Sequence, residues 1–240
     1  MKVTYLNHSG FLLEWANSYW IFDYFKGEIP LLNPQKEIFV FNSHSHGDHF
    51  NPDIFEYLTQ YSSVTYIFSD EIHDAFKQLR SKTSLPQVHF LKTGTDTAFH
   101  TSAGELLHVH TLRSTDLGCA FFIQYNGKNI YHAGDLHWWY WEGEDAGWNN
   151  QITEDYKKEM QYLNGKNIDL AFTLLDPRQE KDYALGMNYF LEHTYTKHVF
   201  PMHFWDDFSV INRYLQEYSV PDETSFYILQ QNGQTFEIML

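Results

Sequence analysis

The segment Asn42-Ser43-His44-Ser45-His46-Gly47-Asp48-His49 constrains this chain more than any other. Three imidazoles and a carboxylate fall within six consecutive positions, His44 to His49. Imidazole is the commonest metal ligand in proteins, and a carboxylate beside it suits a borderline or hard divalent cation. The preceding Glu37-Ile38-Phe39-Val40-Phe41 is a short apolar run that reads as a buried strand. The following Asn51-Pro52-Asp53 reads as a helix start: an Asn N-cap, Pro at the first helical position and an acid in the first turn. The fold must therefore carry a ligand-bearing loop between a strand end and a helix start, where binding groups concentrate. Residues two apart in an extended segment point the same way, so His44 and His46 are expected to share one ion. Gly47 is expected to permit a sharp bend that carries Asp48 and His49 to a second position. A lone His would pass for a solvated loop residue. Four ligand-type residues at this density predict a metal site.

The cluster has the form His-x-His-x-Asp-His, and with it the chain resembles the metallo-β-lactamase superfamily over nearly its whole length. Trp20-Ile21-Phe22-Asp23 is similar to the hairpin whose terminal Asp buttresses the histidine loop in that family. Tyr131-His132-Ala133-Gly134-Asp135 matches a later strand followed by a bridging Asp. Val199-Phe200-Pro201-Met202-His203 matches a late strand followed by a His. Tyr5-Leu6-Asn7-His8-Ser9-Gly10-Phe11 resembles the first strand and loop of the branch that includes ascorbate-6-phosphate lactonase-like and other metal-dependent hydrolases.

The resemblance implies an α+β fold, the four-layer αββα sandwich, as one catalytic domain over residues 1–240. It implies His44 and His46 on one ion, Asp48, His49 and His203 on another, and Asp135 bridging. Asp23 would support the loop, and Asp48 or Asp135 would orient the attacking water and take part in proton transfer. Family members usually offer one more His after the strand placed here at 105–110. This chain has Thr111-Leu112-Arg113-Ser114-Thr115-Asp116-Leu117-Gly118 there, with Ser114 or a near neighbour in the His place. Asp116 is then a candidate oxygen ligand, with water as the alternative. One or two divalent ions per chain are expected. Zinc comes first, and manganese or another transition metal is favoured by oxygen donors.

Short strands are expected at 3–6, 11–15, 19–23, 38–41, 64–68, 87–91 and 105–110. Asn126-Gly127 predicts a hairpin turn between strands 119–125 and 129–132. Helices are expected at 52–60, 70–79 (with Asp70 as cap), 153–163, 183–193 and 208–218, and later strands at 170–174, 198–202, 225–229 and 235–239.

Among 240 residues, 31 acids against 16 bases give a formal charge of -15, which argues against a nucleic-acid backbone as partner. A small anionic substrate remains compatible, because metal ions reverse the local field. The single cysteine, Cys119, excludes an internal disulfide and reads as a buried small hydrophobe. The opening Lys2-Val3-Thr4-Tyr5-Leu6 reads as a strand and not a signal peptide. No apolar run approaches the ~20 residues that span a bilayer. A cytoplasmic enzyme with a small-molecule substrate and no membrane partner is expected, and the sequence sets no oligomeric state.

Four further residues are candidate substrate contacts. His8 faces either the cleft or a turn. His137 follows Asp135 by two positions and is a candidate substrate contact, proton shuttle or surface residue. Trp138 opens the run Trp138-Trp139-Tyr140-Trp141, with Trp148 beyond; some of these aromatics are expected to wall an apolar pocket. Arg178 is either a bidentate clamp for an anionic group or a salt-bridge partner. The expected reaction is attack of a metal-bound hydroxide on a small ester, lactone, amide or phosphodiester. The alternatives are a non-catalytic metal- or ligand-binding protein with an incomplete first site, and a mononuclear iron oxygenase.

Overall fold

Successive side chains in a strand face opposite sides of its sheet. Along 38–41 this sorts Phe39 and Phe41 into one buried cluster and Ile38 and Val40 into another. Trp20 and Phe22 divide from Tyr19 and Ile21 in the same way. A sheet apolar on both faces must be covered twice. The computed structural model, which describes residues 1–80 and 87–240, shows how.

The first half supplies strands β1 (Lys2–Asn7), β2 (Gly10–Glu14), β3 (Ser18–Phe22), β4 (Glu37–Asn42), β5 (Val64–Ser69) and β6 (Val88–Leu91), with helices α1 (Asp53–Tyr57) and α2 (His73–Arg80). The second half supplies β7 (Asp96–His100), β8 (Leu106–Arg113), β9 (Cys119–Tyr125), β10 (Lys128–His132), β11 (Asn167–Leu174), β12 (Tyr195–Met202), β13 (Ser225–Phe226) and β14 (Thr235–Glu237). Its helices are α3 (Ala146–Met160), α4 (Leu185–His193) and α5 (Ser209–Glu217). One seven-stranded sheet runs β14-β1-β2-β3-β4-β5-β6 and the other β13-β12-β11-β10-β9-β8-β7.

The inner faces meet through aromatic rings. Phe11 lies 4.3 Å from Phe172, Trp20 5.3 Å from Tyr125 and Phe41 5.6 Å from Phe121, centroid to centroid. Ile54 and Phe55 of α1 and Phe76 of α2 cover the outer face of the first sheet. Tyr131 of β10 stacks on Phe190 of α4 at 5.4 Å on the outside of the second. The result is the expected αββα sandwich.

Parallel pairing sets the address of the site. β3 and β4 are parallel with Phe22 opposite Phe41, so Asp23 and the histidine loop leave the first sheet side by side. In the second sheet β10, β11 and β12 are parallel, with His132 opposite Phe172 and Leu174 opposite Met202. Asp135, Asp176 and His203 therefore leave neighbouring strands in one direction. Two glycines let the sheets close there. Gly118, at a φ of 69°, sits so tightly that a Cβ would lie 2.0 Å from Ser43 O. At Gly134 (φ 51°) a Cβ would lie 2.7 Å from Ser43 Cβ. Gly47 is different. It lies outside the left-handed region, and a Cβ there would meet nothing within 4 Å, so the bend after His46 does not depend on glycine. The turn is closed instead by His49 N–H and Phe50 N–H, which donate to His46 O at 3.0 and 2.9 Å.

Several element limits differ from the sequence expectation. β7 is an additional strand. α3 begins at Ala146, capped by Asp145, whose carboxylate accepts from Trp148 N–H at 3.0 Å. α2 is entered through a 3-10 turn capped by Ser69 and not by Asp70. A 3-10 segment, Pro177–Asp182, precedes α4.

Candidate metal centre

Asp23, fully buried, is the hub of the histidine loop. It accepts from Ser43 N–H at 2.7 Å, Ser43 Oγ at 2.6 Å and His49 Nδ1 at 2.8 Å. Burial alone would raise its pKa, but the imidazoles of His132 and His49 overcome that and hold the carboxyl below its usual range. Ser43 Oγ spends its proton on Asp23, so His44 Nδ1 donates to it, at 2.9 Å. At the end of β12, His203 Nδ1 donates to Asp176 Oδ2 at 3.0 Å.

Each of these three imidazoles is thus held through Nδ1, and its Nε2 is turned to Asp135. His49 Nε2 is 3.2 Å and His203 Nε2 3.3 Å from Asp135 Oδ1, and His44 Nε2 is 3.4 Å from Asp135 Oδ2. Yet Nε2 of His44, Nε2 of His49 and Oδ1 of Asp135 are buried without a hydrogen-bond partner. Buried polar atoms are rarely left so. Donors at ~2.0–2.2 Å from one ion stand about 3–3.6 Å from each other, which is the spacing seen. The donor chemistry, the orphaned atoms and the anchored Nδ1 positions all fit a divalent metal.

Three groups of ligand atoms lie within mutual reach: His44, His49 and Asp135; His46, Asp116 and Asp135; and His8, Asp48, His49 and His203. His44 and His46 have their rings 4.6 Å apart but fall in different groups, linked through Asp135. The expected set Asp48, His49 and His203 is together, and Asp135 touches both sides as a bridging residue would. Asp116 does face His46, its Oδ2 3.7 Å from His46 Nδ1. Ser114 turns this loop, its Oγ accepting from Asp116 N–H at 3.1 Å.

The electrostatics follow the geometry. Burial would lower His49, but Asp135 and Asp23 on either side push it up to about 10. Burial would raise Asp135, but His49, His203 and His44 hold it well below the carboxylate range. Asp116 is pushed up, first by burial and then by the charge of Asp135.

A cleft of about 280 Å³ opens over these groups, with His46, Asp48, Asp116, Asp135 and His203 on its floor. Trp139, Trp141 and Trp148 form one wall and Arg178 stands at the side. Trp139 and Trp141 stack at 5.8 Å, and Trp139 Nε1 donates to Asp135 O at 3.0 Å. Four larger grooves, of about 690, 620, 430 and 300 Å³, are lined by no imidazole.

Two candidate contacts lie elsewhere. Trp138 turns away from the cleft, donates from Nε1 to Thr153 at 2.7 Å and packs on Tyr156 and Tyr189. His137 is fully buried, its Nε2 paired with Gln179 Oε1 at 2.7 Å, and burial lowers its pKa to about 4. Gln179 in turn donates to Trp138 O and Tyr140 O at 2.9 and 3.1 Å, so His137 anchors the aromatic loop from beneath. Of its two expected roles Arg178 takes that of salt-bridge partner, to Asp176, and it lies beside Trp141 and Trp205, its Cζ 5.9 and 5.4 Å from their rings. Two supports have no counterpart in the sequence reading. One is Asp176. The other is Glu71, which accepts from Ser45 N–H at 2.8 Å and Ser45 Oγ at 2.7 Å and so clamps the histidine loop from the side of α2.

The profile of the Beta-lactamase superfamily domain matches residues 2–142. A UPF0173 metal-dependent hydrolase from Opitutus terrae is 29% identical over 143 residues, covering 56% of this chain and 63% of the relative. Another, from Carboxydothermus hydrogenoformans, is 27% identical over 157 residues, covering 58% and 64%. The chain thus spans less than two thirds of the length of these curated relatives. Among solved structures, Igni18, a metallo hydrolase from the archaeon Ignicoccus hospitalis, superposes with a TM-score of 0.65 at 18% identity and 99% coverage of both chains. That likeness shows the fold. With more than half of its length inside the matched profile, the chain belongs to the metallo-β-lactamase superfamily.

Proposed function

We propose that residues 1–240 act as one metal-dependent hydrolase domain on a small molecule. The observation that carries this reading is the convergence of three anchored imidazoles on Asp135, with Nε2 of His44 and of His49 and Oδ1 of Asp135 buried and otherwise unpartnered. His44, His46, Asp116 and Asp135 would hold one divalent ion, and Asp48, His49, His203 and Asp135 the other. When bound, such ions lower the pKa of water and polarise a substrate oxygen. Zinc or manganese suits the mixed nitrogen and oxygen donors.

The chain's own residues do the rest. Asp48, about one fifth exposed, is a carboxylate on the cleft floor placed to orient water and accept its proton. Burial would raise it, but His8 and His49 hold it ionised well below the usual range. The Trp139–Trp141 face shields one side of the cleft and offers an apolar wall. Arg178 marks the place for an anionic substrate group. A cleft of this size is at the small end for ligand sites and favours a compact substrate. A small ester or lactone is the narrower proposal, with a phosphodiester as the next class. It rests on the likeness of the first hairpin to lactonase-like proteins, and fold-level analogy alone does not fix a substrate.

The test is a screen of metal-free and metal-reloaded protein against carboxylic esters, lactones and phosphodiesters, with Asp135→Asn alongside. Turnover that needs metal and is lost in Asp135→Asn supports the proposal. Tight metal binding without turnover of any of these classes sinks it.

A further inference from the structure

We propose that His8 is itself a metal ligand, its Nε2 joining Asp48, His49 and His203 around one ion. The inference rests on the metal-site reading above and adds a residue to it.

His8 sits at the tip of the β1–β2 hairpin in the left-handed region, at a φ of 55°. It is 2% exposed, and neither ring nitrogen has a hydrogen-bond partner. A buried imidazole of the ordinary kind satisfies at least one nitrogen. His8 Nε2 instead stands 3.5 Å from Asp48 Oδ2. That is long for a hydrogen bond and ordinary for two donors on one metal. The ligand atoms of His8, Asp48, His49 and His203 all lie within 4.8 Å of one another.

The backbone holds this arrangement. His8 O accepts from His203 N–H at 3.2 Å, which ties the hairpin tip to the end of β12. The His8 ring packs on His203 at 4.1 Å and on Trp205 at 4.4 Å. His203 and Trp205 are also left-handed, with φ of 68° and 51°. Non-glycine residues held in this region on both sides of a contact are a form of strain found where positioning matters.

The addition changes the metal preference. His8, Asp48, His49 and His203 offer four donors within mutual reach, and Asp135, 3.2 and 3.3 Å from His49 and His203, would be the fifth. Five protein donors exceed the tetrahedral set that zinc prefers and suit a five- or six-coordinate ion such as manganese or iron. The position at His44, His46, Asp116 and Asp135 lacks this extra imidazole.

The experiment loads the 240-residue protein, labelled with nitrogen-15 histidine, with cadmium-113 and reads metal–nitrogen scalar coupling by NMR. Assignments come from single-histidine variants. Coupling of His8 Nε2 to the same cadmium as His49 and His203 is expected. His8→Asn, which tolerates the same backbone conformation, should remove that coupling. It should weaken cadmium binding there by at least the roughly 10- to 100-fold that loss of a supporting group costs, while the other position is unchanged. Cadmium coupled to His49 and His203 but not to His8 overturns this inference and leaves the metal site standing. Cadmium coupled to no histidine overturns both.

Discussion

Two carboxylates favour the protonated form of His49 in the metal-free site. This residue lies between Asp23 and Asp135, which push its pKa up to about 10 against the effect of burial. A metal on Nε2 must displace that proton, since ligands bind deprotonated. Metal uptake near neutral pH is therefore expected to release about one proton per chain from this residue. Calorimetry in two buffers of different ionisation enthalpy measures it, and proton-neutral uptake would contradict the assignment. Asp176 holds His203 from the other side, at 3.0 Å. Asp176→Asn is expected to weaken metal binding on the order of 10- to 100-fold, read by chelator competition, with an unchanged affinity as the contrary result. The imidazoles and Asp135 are legible in the sequence because they form a dense motif or close strand-end patterns. Asp176 and Glu71 are not, because one carboxylate at a loop start resembles any other. Trp138 and Trp139 are likewise inseparable in sequence. Only the packing of α3 and α4 decides which of them turns to the cleft.

Strand alternation and strand-end loops carry the architecture, and most elements follow from apolar runs. β7 escapes because Asp96-Thr97-Ala98-Phe99-His100 is a half-exposed edge strand with few apolar residues. The first turns of α3 escape because Gly147, Asn149 and Asn150 are weak helix formers, and the Asp145 cap outweighs them locally. The loops that join these elements show the same limit. Gly47 stands inside the motif yet is not sterically required, whereas Gly118 lies outside it and is. Gly118→Ala is expected to cost more than about 2 kcal/mol, from the left-handed backbone and the contact with Ser43 O. Gly47→Ala should stay within about 1 kcal/mol of the parent or stabilise slightly. Urea midpoints of the two variants check this, and equal effects would contradict it.

At the scale of the molecule, two sheets meet with their ligand-bearing loops at one end, and a chain of net charge -15 gathers Asp48, Asp116 and Asp135 around one cleft. Bound cations would offset that local charge and tie the two halves of the sandwich together. A metal at about 1,000 times its Kd adds about 4 kcal/mol to the stability of the folded state. Chelation is accordingly expected to lower the melting temperature reversibly, and no shift would contradict a site linking the sheets. Among the described residues no helix is long and apolar enough to cross a membrane.

The central claim is that the convergence on Asp135 is a metal centre. Elemental analysis of protein reconstituted with zinc, manganese, iron, nickel and cobalt tests it most directly, with His203→Ala and His44→Ala alongside. The account predicts at least about one equivalent per chain in the parent, with His203→Ala losing the ion held beside Asp48 and His49 and His44→Ala retaining it. Less than about a tenth of an equivalent of every metal in the correctly folded parent would contradict it.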